Sequence, residues 1–204
     1  MRSATHATLP LFPLNTVLFP GGPLRLRIFE PRYLDMVSRC MREDSGFGVA
    51  LIVAGREAGG AAQTVAIGTL ARIVDFEQLD DGLLGITARG ERRFRIVHTH
   101  QGSDGLNVAQ VEWLDAELRA ELPPQYAVLA ELLRRALEQI GPAYGEVTPA
   151  YEDATWVGMR LAEILPLAPV ERQELLELRD GPERLHWLQS RLDIQEVRDD
   201  DSDD

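Results

Sequence analysis

The sequence predicts an α+β protein: a small antiparallel β-barrel or sandwich interrupted by one helix, followed by a bundle of four helices. Three observations carry this. Up to Trp113, Gly, Pro and Asp-Gly breaks recur at short intervals, and apolar residues between them repeat with period two. One stretch after Glu30 has helical spacing instead. Beyond Trp113 the period changes to 3.6, with Pro123-Pro124 at the change. The expected organisation is a β subdomain over 1–117, a helical subdomain over 118–198 and a disordered acidic tail over 199–204.

The strands follow in order. Leu24-Arg25-Leu26-Arg27-Ile28 puts apolar residues on one face and arginines on the other, as a half-buried strand requires. Phe47 to Val53 is a denser apolar run, suited to a strand covered on both faces. Thr64–Leu79 and Leu83–Ala88 flank Asp80-Asp81-Gly82, a short-hairpin signal. Arg92–His98 and Leu106–Trp113 complete a set of roughly six strands, mostly paired with sequence neighbours. The interrupting helix starts at Pro31, whose missing N–H suits the first helical position. Its expected apolar face is Leu34, Val37 and Met41, and Gly46 and Gly48 end it. Gly55 to Gly60 has no periodicity and reads as a mobile surface loop.

In the second half, Tyr126, Leu129, Leu133, Ala136 and Ile140 form one helical stripe. Val157, Leu161, Ile164 and Leu165 form a second, stopped by Pro166. Val170–Arg179 is a third helix closed by Gly181, and Pro182 opens a fourth carrying Leu185, Leu188 and Leu192. Short links between amphipathic helices favour a compact bundle, and such stripes leave self-association open.

Composition narrows the function. The net charge of −12 is uneven: residues 1–117 carry 12 Arg against 14 Asp and Glu, and residues 118–204 carry 9 against 19. An acidic second half repels nucleic acid and anionic membrane. All 21 basic residues are Arg, which excludes a P-loop, a Ser–Lys dyad and a Schiff-base lysine. The apolar runs are too short to span a bilayer, and prolines interrupt the N-terminal one, so neither a membrane span nor a signal peptide is expected. With Cys40 as the single cysteine, no intrachain disulfide can form and the cytoplasm is the expected compartment.

No residue pattern argues for catalysis or a cofactor. His98 and His100 share one face of a strand, but no third ligand stands at a persuasive spacing, so they read as ordinary strand-end histidines rather than a metal site. Cys40, on the first helix, reads as a small buried hydrophobe rather than a nucleophile. Arg89, Arg92, Arg93 and Arg95 surround Phe94, a combination that can bind single-stranded nucleic acid on a small barrel. Arg93 and Arg95 also alternate with Phe94 and Ile96, the pattern of a solvated face over a core. That reading is preferred, with RNA binding through the four arginines as the alternative function.

Leu9-Pro10-Leu11-Phe12-Pro13-Leu14, Phe19-Pro20-Gly21-Gly22 and Ile28-Phe29-Glu30-Pro31-Arg32-Tyr33 form a long, specific block. With Gly68-Thr69-Leu70-Ala71-Arg72-Ile73, Gly90-Glu91-Arg92-Arg93-Phe94-Arg95-Ile96 and Leu161-Ala162-Glu163-Ile164-Leu165-Pro166-Leu167, it resembles the substrate-binding N-terminal domain of Lon proteases. The resemblance implies a PUA-like barrel followed by a helical bundle, and a non-catalytic module that binds unfolded polypeptide or a partner protein, as an adaptor or regulator. The ATPase and peptidase modules of Lon lie beyond this region, and none is expected in a lysine-free chain stopping at Asp204. The expected binding residues are Phe29, Glu30, Pro31, Arg32 and Tyr33, lining a partly apolar groove held stiff by Pro20, Pro23 and Pro31. The same block also reads as purely architectural, with Glu30 and Arg32 as a local ion pair and Phe29 and Tyr33 as core. Both readings stand on the sequence alone.

Overall fold

The computed structural model describes residues 6–55, 63–144 and 147–200. The chain divides into two compact units, 1–116 and 117–204.

The first unit is built from β1 (His6–Leu14), β2 (Pro23–Ile28), α1 (Pro31–Arg42), β3 (Phe47–Ala54), β4 (Gln63–Thr64), β5 (Ile67–Gln78), β6 (Leu84–Gln101) and β7 (Asn107–Trp113). The hydrogen-bonded order is β1-β7-β6-β5-β3-β4, and β2 pairs with β6. A further pairing of β1 with β3 closes the path into a ring. All pairs are antiparallel except β1–β3, which is parallel. The sheet is therefore mixed, and β1 joins strands far from it in sequence, in contrast to the expected pairing of sequence neighbours.

Strand β1 is absent from the sequence expectation, because Pro10 and Pro13 argue against a paired strand. The register explains both. Pairing with β3 starts at Leu11↔Gly48, just after Pro10, and pairing with β7 ends at Leu11↔Asn107, before Pro13. Each proline thus meets an edge without a partner, where its missing N–H leaves no rung unmade.

The expected break between Leu83–Ala88 and Arg92–His98 does not occur, since β6 runs through it for 18 residues. Gly90 suggests the break in sequence, and it serves a different purpose. Gly21 N–H donates to Gly90 O at 2.7 Å and Gly90 N–H to Gly22 O at 2.9 Å, so the Phe19–Gly22 turn lies directly on β6. A Cβ at position 90 would stand 2.1 Å from Phe19 O. Close backbone approach, not a turn, requires this glycine.

Helix α1 begins at Pro31 as expected, but its face differs. Tyr33, Met36, Val37 and Cys40 are buried, whereas Met41 is 43% exposed and Leu34 only half-buried. The expected stripe follows the bulkiest aliphatic residues and passes over Tyr33 and Cys40, which stand at helical spacing with Met36 and Val37. This face joins Phe12, Leu14, Ile28, Phe47 and Ile86 in one apolar cluster. Leu9, Leu11, Phe94 and Val111 anchor a second. The loop expected over Gly55–Gly60 lies outside the described residues except for Gly55.

The second unit holds α2 (Ala127–Ile140), α3 (Ala154–Ile164), α4 (Pro169–Glu177) and α5 (Gly181–Asp200). Asp153 caps α3 by accepting from Thr155 N–H at 3.0 Å. Gly158 lets α3 approach α5, since a Cβ there would lie 3.2 Å from Arg184 Cδ. Arg184 is fully buried and holds Glu117 in a two-pronged pair at 2.8 and 3.0 Å, while also donating to Leu175 O and Leu178 O. Each of the three guanidinium nitrogens donates, which makes the buried charge tolerable. Helix α5 takes in Asp199 and Asp200, the start of the stretch expected to be disordered, and residues 201–204 lie outside the described residues. No helix among the described residues is long and apolar enough to cross a membrane.

Candidate functional site

The end of β2 and the start of α1 frame a cleft of about 300 Å³, lined by Phe12, Leu14, Arg25, Leu26, Arg27, Ile28, Phe29, Glu30 and Tyr33. Alternation along β2 sets its walls: Leu24, Leu26 and Ile28 turn inward, and Arg25 and Arg27 outward, where Arg27 pairs with Asp81. At Glu30 the chain is extended (φ −80°, ψ 133°), and Pro31 starts the helix. The corner between strand and helix is therefore sharp and stiff.

The five expected binding residues fall into two groups. Phe29 is 59% exposed and Pro31 is exposed beside it. Tyr33 is buried and stacks on Phe12, with centroids 3.9 Å apart and planes at 11°. Glu30 and Arg32 pair at 2.8 Å, with side chains only 19% and 11% exposed. Arg32 also donates from Nη1 to Gly105 O at 3.0 Å, and its guanidinium lies 4.7 Å from the Tyr33 ring centre. So Phe29 alone of the five offers a large free apolar surface. Tyr33 forms the wall, and the Glu30–Arg32 pair braces the corner from behind. An exposed aromatic beside a mostly apolar cleft, with arginines on its outer lip, is chemically suited to an uncharged or acidic group.

The arginine group does not form the free polar face expected of it. Arg93 is buried at 4% exposure, next to fully buried Phe94 on the other face of β6. Thr69, opposite Arg93 in the ladder, is also fully buried and donates to Leu18 O at 2.6 Å. The segment through Leu18 thus covers the face that alternation assigns to solvent. Arg92 donates to Leu114 O at 2.9 Å and lies over Trp113, while Arg89 is half-buried and Arg95 exposed. These arginines are spread over two faces, and Arg92 and Arg93 are held against the protein. They do not make a continuous basic strip of the kind nucleic acid requires.

His98 and His100 do share a face, with centroids 6.3 Å apart. No group of three or more His, Cys, Asp or Glu able to hold a metal occurs among the described residues. Cys40 is buried, and burial pushes its thiol upward, away from the reactive thiolate.

A cluster that sequence reasoning misses lies in the second unit. Glu163 accepts from Tyr144 Oη at 2.9 Å and from Arg160 Nη2 at 2.8 Å, and Arg160 is fully buried. Burial pushes the Glu163 carboxyl up to about 7, against the opposing pull of Arg160, the Tyr144 hydroxyl and Arg172. Burial, reinforced by the Glu163 carboxylate, also raises the Tyr144 hydroxyl. The only signal for this cluster is the sequence Arg160-Leu161-Ala162-Glu163, whose spacing reads as an ordinary surface pair.

Comparison with known proteins places the chain in a family. The family model of the ATP-dependent protease La (LON) substrate-binding domain matches residues 8–193. Lon protease 2 of Myxococcus xanthus is 30% identical over 186 residues, which are 87% of this chain and 22% of that protein. The chain thus spans about a fifth of that relative's length. A crystal structure of a Lon N-terminal domain protein from Xanthomonas campestris superimposes with a TM-score of 0.75 at 41% identity, covering 90% of this chain and 98% of that one. The N-terminal domain of a Mycobacterium avium complex Lon protease shares the fold, with a TM-score of 0.62 at 20% identity over 89% of this chain and 96% of that one. The chain belongs to the LON substrate-binding domain family.

Proposed function

We propose that this protein is a non-catalytic, cytoplasmic module that binds exposed polypeptide segments through the β2–α1 cleft, as an adaptor or regulator. On this reading the closed ring of the first unit is a PUA-like barrel and the helices of the second form a bundle. The observation that carries the reading is Phe29: a large aromatic side chain, 59% exposed, on the rim of an apolar-lined cleft in a chain of this family. Exposed aromatics are costly to leave in water, and aromatic side chains are enriched at binding hot spots. Glu30, Pro31 and Arg32 keep the corner rigid, so little ordering entropy is lost when a chain docks.

The test is an anisotropy titration with a fluorescein-labelled, permanently unfolded polypeptide, with labelled RNA as control. Saturable polypeptide binding is expected, with RNA inert. Phe29→Ala is expected to weaken it about tenfold, the loss typical of a truncated aromatic anchor. Tyr33 is the wrong reporter, because its stacking on Phe12 makes Tyr33→Ala a core mutation. Binding that ignores Phe29→Ala would move the site away from this cleft.

A further inference from the structure

A second cleft, of about 560 Å³, opens where two strands of the ring part company. Between β5 and β6 the ladder runs from Gln78↔Leu84 to Ile67↔Arg95, and one more bond follows, from Ile96 N–H to Ala66 O at 2.7 Å. Beyond that bond β6 continues to Gln101, paired with β7 alone among the described strands. On the other side, residues 63–66 turn away to pair with β3, and Val65 N–H donates to Leu51 O. The cleft occupies the fork.

The direction of the backbone groups follows from the ladder. Gly102 N–H donates to Leu106 O across the β6–β7 hairpin, so in an antiparallel pair His100↔Val108 and His98↔Gln110 are also bonded rungs. Thr99 and Gln101 lie between these rungs. Their N–H and C=O groups therefore point away from β7, and both residues line the fork. Val97 is the extra residue at the bulge that switches the phase between Ile96, whose N–H points to Ala66, and His98, which bonds to β7. By the same alternation Thr64, next to Val65, turns its backbone groups into the fork from the opposite side. Both edges thus direct main-chain donors and acceptors into the fork.

We propose that this fork is a strand-addition site, in which an extended polypeptide segment inserts between β6 and residues 63–66 and continues the ladder on both sides. The proposal rests on the polypeptide-binding reading above and specifies how such a chain would be held. The lining chooses the occupant. Among the described residues no Asp, Glu or Arg lines this cleft, although the protein carries 33 acids and 21 arginines. Buried Leu11 and half-buried Ile96 give it an apolar floor, and Val53, 61% exposed, stands at its mouth. The described lining, apolar and uncharged polar side chains with His100 and backbone hydrogen-bonding edges, favours a neutral strand of small or β-branched residues over a charged one. Recognition through main-chain bonds is tolerant of sequence, the property a receptor for unfolded chains needs.

Thr99→Pro tests this directly. The N–H it removes points into the fork, so the rungs to β7 survive. Wild-type protein is titrated with a short fluorescein-labelled peptide of alternating Val and Thr, and with the same peptide N-methylated at alternate amides. Both Thr99→Pro and N-methylation are expected to weaken binding about tenfold, the cost of one or two backbone hydrogen bonds. If Thr99→Pro fails to fold, the methylated peptide on wild-type protein decides alone. Peptide binding that is lost in Phe29→Ala but indifferent to both fork changes would overturn the strand-addition site and leave the module reading standing. No binding of any peptide or unfolded polypeptide would overturn both. Self-association abolished by Thr99→Pro, with the peptide inert, would assign the fork to a second copy of this chain and overturn the proposal.

Discussion

Gly90 shows how one missing Cβ can hold an architecture together. The Phe19–Gly22 turn is bonded to it in both directions, and the atoms nearest an added methyl would be Phe19 O at 2.1 Å and Phe19 C at 2.9 Å. Both are backbone atoms, so no rotamer change relieves the clash, and either the turn or β6 must move. Gly90→Ala is therefore expected to lower stability by about 3 kcal/mol, read as a drop in the urea midpoint. Gly82 is the control: φ there is +81° with open space around the Cβ position, so Gly82→Ala meets only backbone strain, about 1 kcal/mol. Equal losses in the two variants would mean that the Phe19–Gly22 turn gives way easily. The same contrast bears on Phe29 and Tyr33. They lie four residues apart in one motif, yet the first is free for a ligand and the second is committed to Phe12.

At the scale of elements, the helix pair around Glu163 makes its own prediction. Glu163 is held by Tyr144 and Arg160 but is buried, and its carboxyl is raised from 4.5 to about 7. A raised carboxyl binds its proton more tightly folded than unfolded. Its contribution to stability is fully present below pH 4.5 and is lost as pH rises through about 7. Glu163→Gln removes that proton. Wild type should lose roughly 1 to 3 kcal/mol relative to the variant between these limits, measured by denaturant melts across pH. Parallel profiles would show that the carboxyl binds its proton no more tightly in the fold than in the unfolded chain. No sequence pattern announces this group, because Arg160 and Glu163 at i, i+3 look like any exposed pair until α3 is packed on both sides. Other elements are legible to different degrees for equally physical reasons. The start of α1 is plain from Pro31, and the β2 alternation correctly separates its covered side chains from its exposed arginines. The continuity of β6 is not legible, because a glycine needed for close approach looks the same as one needed for a turn. Strand β1 hides behind two prolines whose harmlessness depends on where its partners begin and end. The β2–α1 corner can be found from side chains, whereas the fork is made of main-chain groups at Thr99, Gln101 and Thr64, which leave no signature in residue type.

At the scale of the whole molecule the dominant fact is charge. The net of −12 falls mostly on residues 118–204, where 9 Arg face 19 acids. Such a field reaches beyond contact distance, about 8 to 10 Å at ordinary ionic strength, and biases which chains arrive before any cleft is engaged. Among the described residues, the two clefts considered above are lined mostly by apolar and uncharged groups, with Arg25, Arg27 and Glu30 the charged exceptions at one of them. On the proposed reading, steering and holding fall to different parts of the chain. Arrival should depend on the charge of the incoming polypeptide, and departure on its apolar residues and backbone. Two unfolded probes of equal length and hydropathy, one arginine-rich and one glutamate-rich, separate these in stopped-flow association. The cationic probe is expected to associate at least several-fold faster in low salt, with the advantage shrinking as salt is raised to about 1 M. The dissociation rates of the two should stay close, and Phe29→Ala should raise both by a similar factor. A salt-insensitive association rate for the cationic probe would mean that the acidic surface plays no part in capture. An advantage that instead appeared in dissociation would place acidic residues inside the contact, against cleft linings in which, among the described residues, Glu30 is the one carboxylate and is already paired with Arg32.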